Sequence, residues 1–127
     1  MKQTQSLRMN YEFSRVYQKG RFISGRFVVL HYLKRNGGQN RLGITASRKL
    51  SGSVRRNRMK RLLRESYRLM EDQIRPGFDL VFVGRNSAVP PDLKAVFPEM
   101  AQLLHRAGLC RSTSPARPDQ ASGGTKR

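Results

Sequence analysis

Between Arg55 and Arg68 the chain carries seven basic side chains and one acid, Glu65, in the run RRNRMKRLLRESYR. On a helix, Met59, Leu62, Leu63, Tyr67 and Met70 fall in one sector, which is the face that can be buried. Asn57, Arg58, Lys60, Arg61, Arg64 and Arg68 fall on the opposite half, with Arg55 and Arg56 adding charge at the start. Like charges three and four residues apart repel by about 0.2 to 0.5 kcal/mol per pair. Cations at a helix N-terminus also oppose the macrodipole, by roughly 0.3 to 1 kcal/mol each. Stability alone does not select this pattern. A ligand with closely spaced phosphates removes both penalties, because arginine forks bond phosphate bidentately. The chemistry of this segment is therefore polyanion binding. A merely solvated helix face would intersperse acids that pair with the bases, and here those acids are missing.

Residues able to do covalent or metal chemistry are sparse. His31 and His105 have no neighbour that makes a metal pair or a nucleophile with its base. The acids Glu12, Glu65, Glu71, Asp72, Asp79, Asp92, Glu99 and Asp119 are scattered, with no magnesium-binding cluster. Cys110 is the only cysteine, so no intramolecular disulfide or paired-cysteine motif exists. No catalytic residue and no metal ligand is assigned to the protein.

The elements that must position the basic run follow from hydrophobic periodicity. Asn10–Lys19 reads as a short amphipathic helix capped by Asn10, with Phe13, Val16 and Tyr17 on one face and Gly20 as its stop. Residues 22–34 form a β-rich run broken at Gly25 and closed by Gly37-Gly38. A second strand over 41–47 is expected to pair with it as an antiparallel hairpin. The basic helix then runs toward Pro76-Gly77, a short buried strand covers 79–84, and a last helix starts at Pro90-Pro91-Asp92 and ends at Gly108. This order describes an α+β two-layer sandwich with a small mixed sheet. One domain over 1–109 is expected, followed by a disordered basic tail over 110–127 that lacks large apolar anchors.

Composition agrees. The 127 residues hold 26 Lys and Arg against 8 Asp and Glu, a net charge of +18. Solubility in a small domain is met by a net charge of roughly 2 to 8, so the excess points to nucleic acid. With 37% hydrophobic residues in patterned positions, a folded core is expected rather than a wholly basic tail. No apolar stretch reaches the roughly 20 residues of a membrane span, and no secretory signal is visible, so a cytoplasmic location without membrane contact is the expectation.

The run Arg48-Lys49, then Ser53-Val54-Arg55-Arg56-Asn57-Arg58-Met59-Lys60-Arg61-Leu62-Leu63-Arg64-Glu65, closely resembles the RNR motif of the bacterial ribonuclease P protein subunit. The likeness extends from about residue 5 to 109, through Arg41-Leu42-Gly43-Ile44 and Gly77-Phe78-Asp79-Leu80-Val81. It implies a mixed sheet covered by helices, with a left-handed βαβ crossover in which the basic helix links two parallel strands. It also implies a binding subunit that joins a catalytic RNA, whose holoenzyme removes the 5′ leader of precursor tRNA and leaves a 5′ phosphate. The RNA, with magnesium, would do the chemistry, and the isolated protein would not cleave. Arg56, Asn57, Arg58, Lys60, Arg61 and Arg64 would face that RNA. Phe13, Tyr17, Arg48 and Lys49 stand where the family holds the leader. Two positions depart from the family: Ser51-Gly52-Ser53 replaces a Gly-Asn-Ala-like run, and His31 stands where an aromatic residue is common. From the residues alone, a ribosome-associated or general RNA-chaperone protein is the alternative. A DNA-reading regulator fits less well, since only Asn57 is a base-reading type on the helix.

Overall fold

The computed structural model describes residues 4–35, 37–87 and 89–110. Its elements run β1 (Thr4–Ser6), α1 (Asn10–Lys19), β2 (Arg21–Ser24), β3 (Val28–Lys34), β4 (Asn40–Ala46), α2 (Ser53–Met70), β5 (Phe78–Gly84) and α3 (Leu93–Arg106). The five strands form one mixed sheet in the order β1-β4-β5-β3-β2. This is the expected α+β sandwich, with α2 as the crossover between the parallel neighbours β4 and β5.

The expected hairpin between the second and third runs does not form. β5 inserts between them, antiparallel to β3 and parallel to β4. The reason lies in FDLVFVG: Leu80, Val81 and Phe82 have apolar side chains toward both faces and are fully buried, which only a central strand achieves. The run over 22–34 is instead two strands, β2 and β3, that form a hairpin of their own. β1, a three-residue strand parallel to β4, was not anticipated.

Register sorts the sheet into two faces. Leu80 and Phe82 of β5, Val28 and Leu30 of β3 and Leu42 of β4 join Met59, Leu62, Leu63 and Tyr67 of α2 and Val96, Met100, Leu103 and Leu104 of α3 in the main core. A Cβ at Gly84 would run into the Met59 side chain, so glycine there lets α2 seat on the strand. On the other face Val81 packs with Val16 of α1 and Leu7, and Phe13, Leu33 and Val83 border that smaller cluster.

Helix ends differ in detail from expectation. Asn10 is not the cap of α1: Met9 occupies that position, and the Glu12 carboxylate accepts the backbone N–H groups of Arg8 and Met9 at 2.9 and 3.0 Å. Those two bonds, Met9's first, hold the Glu12 carboxyl below its ordinary range. α2 ends at Met70 in a 3-10 turn over Glu71–Gln73, short of Pro76. Ile74 then bridges to Cys110, so Cys110 belongs to the folded unit, one residue past the expected boundary. The rest of the expected tail lies outside the described residues.

Candidate nucleic-acid interface

α2 buries Met59, Leu62, Leu63, Ser66, Tyr67 and Met70, the stripe anticipated from periodicity plus Ser66. Its other side stays in solvent: Arg55, Arg56, Asn57, Arg58, Arg61, Arg64 and Arg68 are exposed and Lys60 is half-buried. Its first turn contains no acid, and its N-cap, Gly52, supplies no side chain to bond the free N–H groups. Among the described residues, ion pairs join Arg15, Arg35 and Arg41 to Asp79 and Glu12, and none involves α2. The basic face is neither turned inward nor neutralised there. Arg58 is tied down: its Nη1 donates to the Pro91 carbonyl at 2.8 Å, which fixes its guanidinium against the loop before α3.

The second candidate surface lies on the opposite face of the sheet, beneath α1. Phe13 sits over β4 so closely that a Cβ on Gly43 would lie 2.5 Å from its ring. It is half-buried against the Leu7, Val16 and Val81 cluster, so part of its role is packing. Tyr17, one turn on, is 42% exposed. Its ring lies 6.4 Å from Phe13 and 4.8 Å, edge-on, from His31. His31 in turn lies 5.6 Å from Phe22, its cross-strand partner. Four rings thus form a row from β4 to β2, and the last of them, Phe22, is 63% exposed. Partial burial keeps the His31 imidazole below its ordinary pKa and raises that of the Tyr17 phenol. Both are neutral at neutral pH.

Phe22 was not anticipated, although Phe22 and Ser24 alternate with Ile23 as a half-buried strand requires. Reading residues 22–34 as one broken run hid that alternation. His31, noted only as a departure from family pattern, is the link between Tyr17 and Phe22. Arg48 and Lys49 are exposed in the turn that follows β4, the strand beneath Phe13. That turn is pinned by Ser47, whose N–H bonds Gly84 and whose hydroxyl accepts the Lys49 N–H at 3.1 Å.

An ion network holds α1 in place as the wall of this cleft. Asp79, fully buried, accepts two 2.8 Å bonds from Arg41, through Nε and Nη2, and is approached by Arg15 of α1 at 3.4 Å and Arg35 at 3.5 Å. Arg41 also bonds Glu12 of α1 at 3.0 Å. Its bonds to Asp79 raise the Arg41 pKa, so the guanidinium is permanently charged. From the opposite face of the sheet, Glu99 of α3 accepts the backbone N–H groups of Arg26, Phe27 and Val28, which fixes the β2–β3 turn. Nothing in the spacing of these acids marked them as positioning groups.

No group of three or more His, Cys, Asp or Glu side chains able to hold a metal occurs among the described residues. No helix there is long and apolar enough to cross a membrane.

A family model described as Ribonuclease P matches residues 1–108. The ribonuclease P protein component of a Thermoanaerobacter species is 40% identical over 103 residues, covering 81% of this chain and 89% of the relative. That of Clostridium botulinum strain Langeland is 43% identical over 104 residues, 81% of this chain and 94% of the relative. Among solved structures, the RNase P protein from Thermotoga maritima superposes with a TM-score of 0.70 at 30% identity, covering 80% of this chain and 96% of that one. The RNase P protein from Staphylococcus aureus gives 0.73 at 25% identity, with 90% and 97% covered.

Proposed function

This chain belongs to the Ribonuclease P protein family and serves tRNA processing as that enzyme's protein subunit, and from that premise we propose how its two surfaces divide the work. The exposed face of α2, from Arg55 to Arg68, binds the catalytic RNA. The cleft lined by Phe13, Tyr17, His31 and Phe22, with Arg48 and Lys49 beyond β4, holds the unpaired 5′ leader of precursor tRNA. The observation that carries this reading is the exposure of six arginines on one helix, with Lys60 half-buried beside them, and no ion pair to any of the seven among the described residues.

The cleft suits single-stranded RNA for a separate reason. Unpaired bases stack on aromatic rings while basic side chains follow the phosphates, and each stacked base contributes about 1 to 3 kcal/mol. Neutral His31 and Tyr17 offer ring faces without adding charge. The protein raises the local positive potential where two RNAs meet and lowers their mutual repulsion. Magnesium held by the RNA would activate water and stabilise the leaving oxygen. The protein's own residues bind and orient, and the isolated chain does not cleave.

Reconstitution tests this. Adding the protein to ribonuclease P RNA at low magnesium should restore cleavage of precursor tRNA, with protein alone inactive. No stimulation at any protein ratio overturns the reading. Replacing Arg56 and Arg58 should abolish assembly with that RNA, whereas an even loss of affinity across unrelated RNAs would mark a general chaperone instead.

A further inference from the structure

A groove of about 340 Å³ opens between the first turns of α2 and the loop that joins β5 to α3. Leu50, Met59 and Pro91 form a buried apolar floor. Val54, 79% exposed, forms one apolar wall. Arg55, Arg58 and Arg85 stand around it. Two of these guanidiniums are anchored to backbone carbonyls, Arg58 on Pro91 at 2.8 Å and Arg85 on Gly25 at 2.7 Å. Their remaining N–H donors have no carboxylate within ion-pairing distance among the described residues. The volume is at the lower end of the roughly 300 to 1,000 Å³ typical of small-molecule sites.

From this geometry we propose that the groove receives one unstacked nucleotide of the bound RNA, its base on the Leu50, Val54, Met59 and Pro91 surface and its phosphate between Arg55 and Arg85. An apolar floor flanked by three cations, two of them anchored, selects a ligand that is flat and apolar at one end and anionic at the other. A nucleotide has that shape and charge. Arg58, anchored on the Pro91 carbonyl, supplies a guanidinium on which a base stacks. A peptide of this chain's own charge is repelled by the same three arginines. Because Arg55 and Arg58 also belong to the basic face of α2, a strand lying along that face can place one residue in the groove without leaving it. The inference rests on the RNA-binding reading above but assigns a different contact, one nucleotide read by a pocket rather than a backbone tracked by a helix face.

Base-edge chemical probing of ribonuclease P RNA, free and bound to the full chain, tests the assignment. Wild-type protein should protect one isolated nucleotide that Val54→Trp, which fills the groove, leaves reactive, while the other protections persist. Val54→Trp should also weaken binding on the order of 10-fold, the loss of one stacked base. The same footprint with Val54→Trp, at any affinity, overturns the proposal while leaving RNA binding intact. A wild-type chain that does not bind the RNA overturns both. Should circular dichroism show Val54→Trp unfolded, Arg85→Gln is judged by the same nucleotide.

Discussion

Asp79 is the residue on which the α1 side of the sheet turns. A carboxylate with no solvent exposure is tolerated only when paired and bonded, and Arg41 meets it with two parallel 2.8 Å bonds. Asp79→Asn keeps the shape and removes the charge, leaving Arg41, Arg15 and Arg35 crowded around a neutral amide. Breaking one partner of a buried pair costs about 3 to 5 kcal/mol. The three arginines retain some access to water, so the expected loss is the low end, about 3 kcal/mol in a urea titration. A second residue-scale expectation concerns His31. Burial lowers its pKa in the folded chain below the ordinary 6.5, so below that value the unfolded chain binds more protons. Its contribution is therefore complete above about pH 6.5 and is lost as pH falls through the folded pKa. Stability should decline over that acidic interval, and His31→Phe should flatten the decline in denaturant midpoints measured against pH.

At the scale of elements, the seating of α2 on the sheet depends on a missing side chain. Gly84→Ala drives a methyl group into Met59, and overpacking of this kind costs about 1 to 3 kcal/mol. Because the clash is with Met59, Gly84→Ala should lower the thermal midpoint less in a Met59→Ala background than in the wild-type chain. The basic helix was the most legible element of the sequence, because a buried stripe of Met59, Leu62, Leu63, Tyr67 and Met70 and a flank with Glu65 as its single acid are both written in local spacing. α1 and α3 were legible for the same reason. Strand pairing was not: β3 and β4 are consecutive and separated by a glycine turn, yet β5 enters from 38 residues beyond Asn40 to lie between them (Phe78 follows Asn40 by that count). That choice depends on which strand is apolar on both faces, a comparison across the whole chain rather than within a window. The candidate cleft was half legible for a related reason. Phe13 and Tyr17 share one helix face, but His31 and Phe22 join them only through the register of β2 with β3.

The molecule as a whole carries a net charge of +18, and salt therefore acts on it in two opposing directions. In the free protein the α2 cations repel one another, with Glu65 the single acid among them and no ion pair on that helix among the described residues. Screening weakens that repulsion, since the Debye length falls from about 10 Å at 0.1 M to about 3 Å at 1 M. Added sodium chloride should raise the thermal midpoint of the free chain. In the complex the same cations displace condensed counterions from RNA, so log affinity should fall linearly with log salt, at about 0.7 to 0.9 per phosphate contacted. Arg64→Gln, at an exposed position without a packing role, should shift both measurements. The free variant gains less from salt, and the salt slope of RNA binding shallows by about one contact. An unchanged slope for Arg64→Gln would place that side chain off the RNA. A free-protein midpoint insensitive to salt would mean that the helix face carries no uncompensated repulsion for a polynucleotide to relieve.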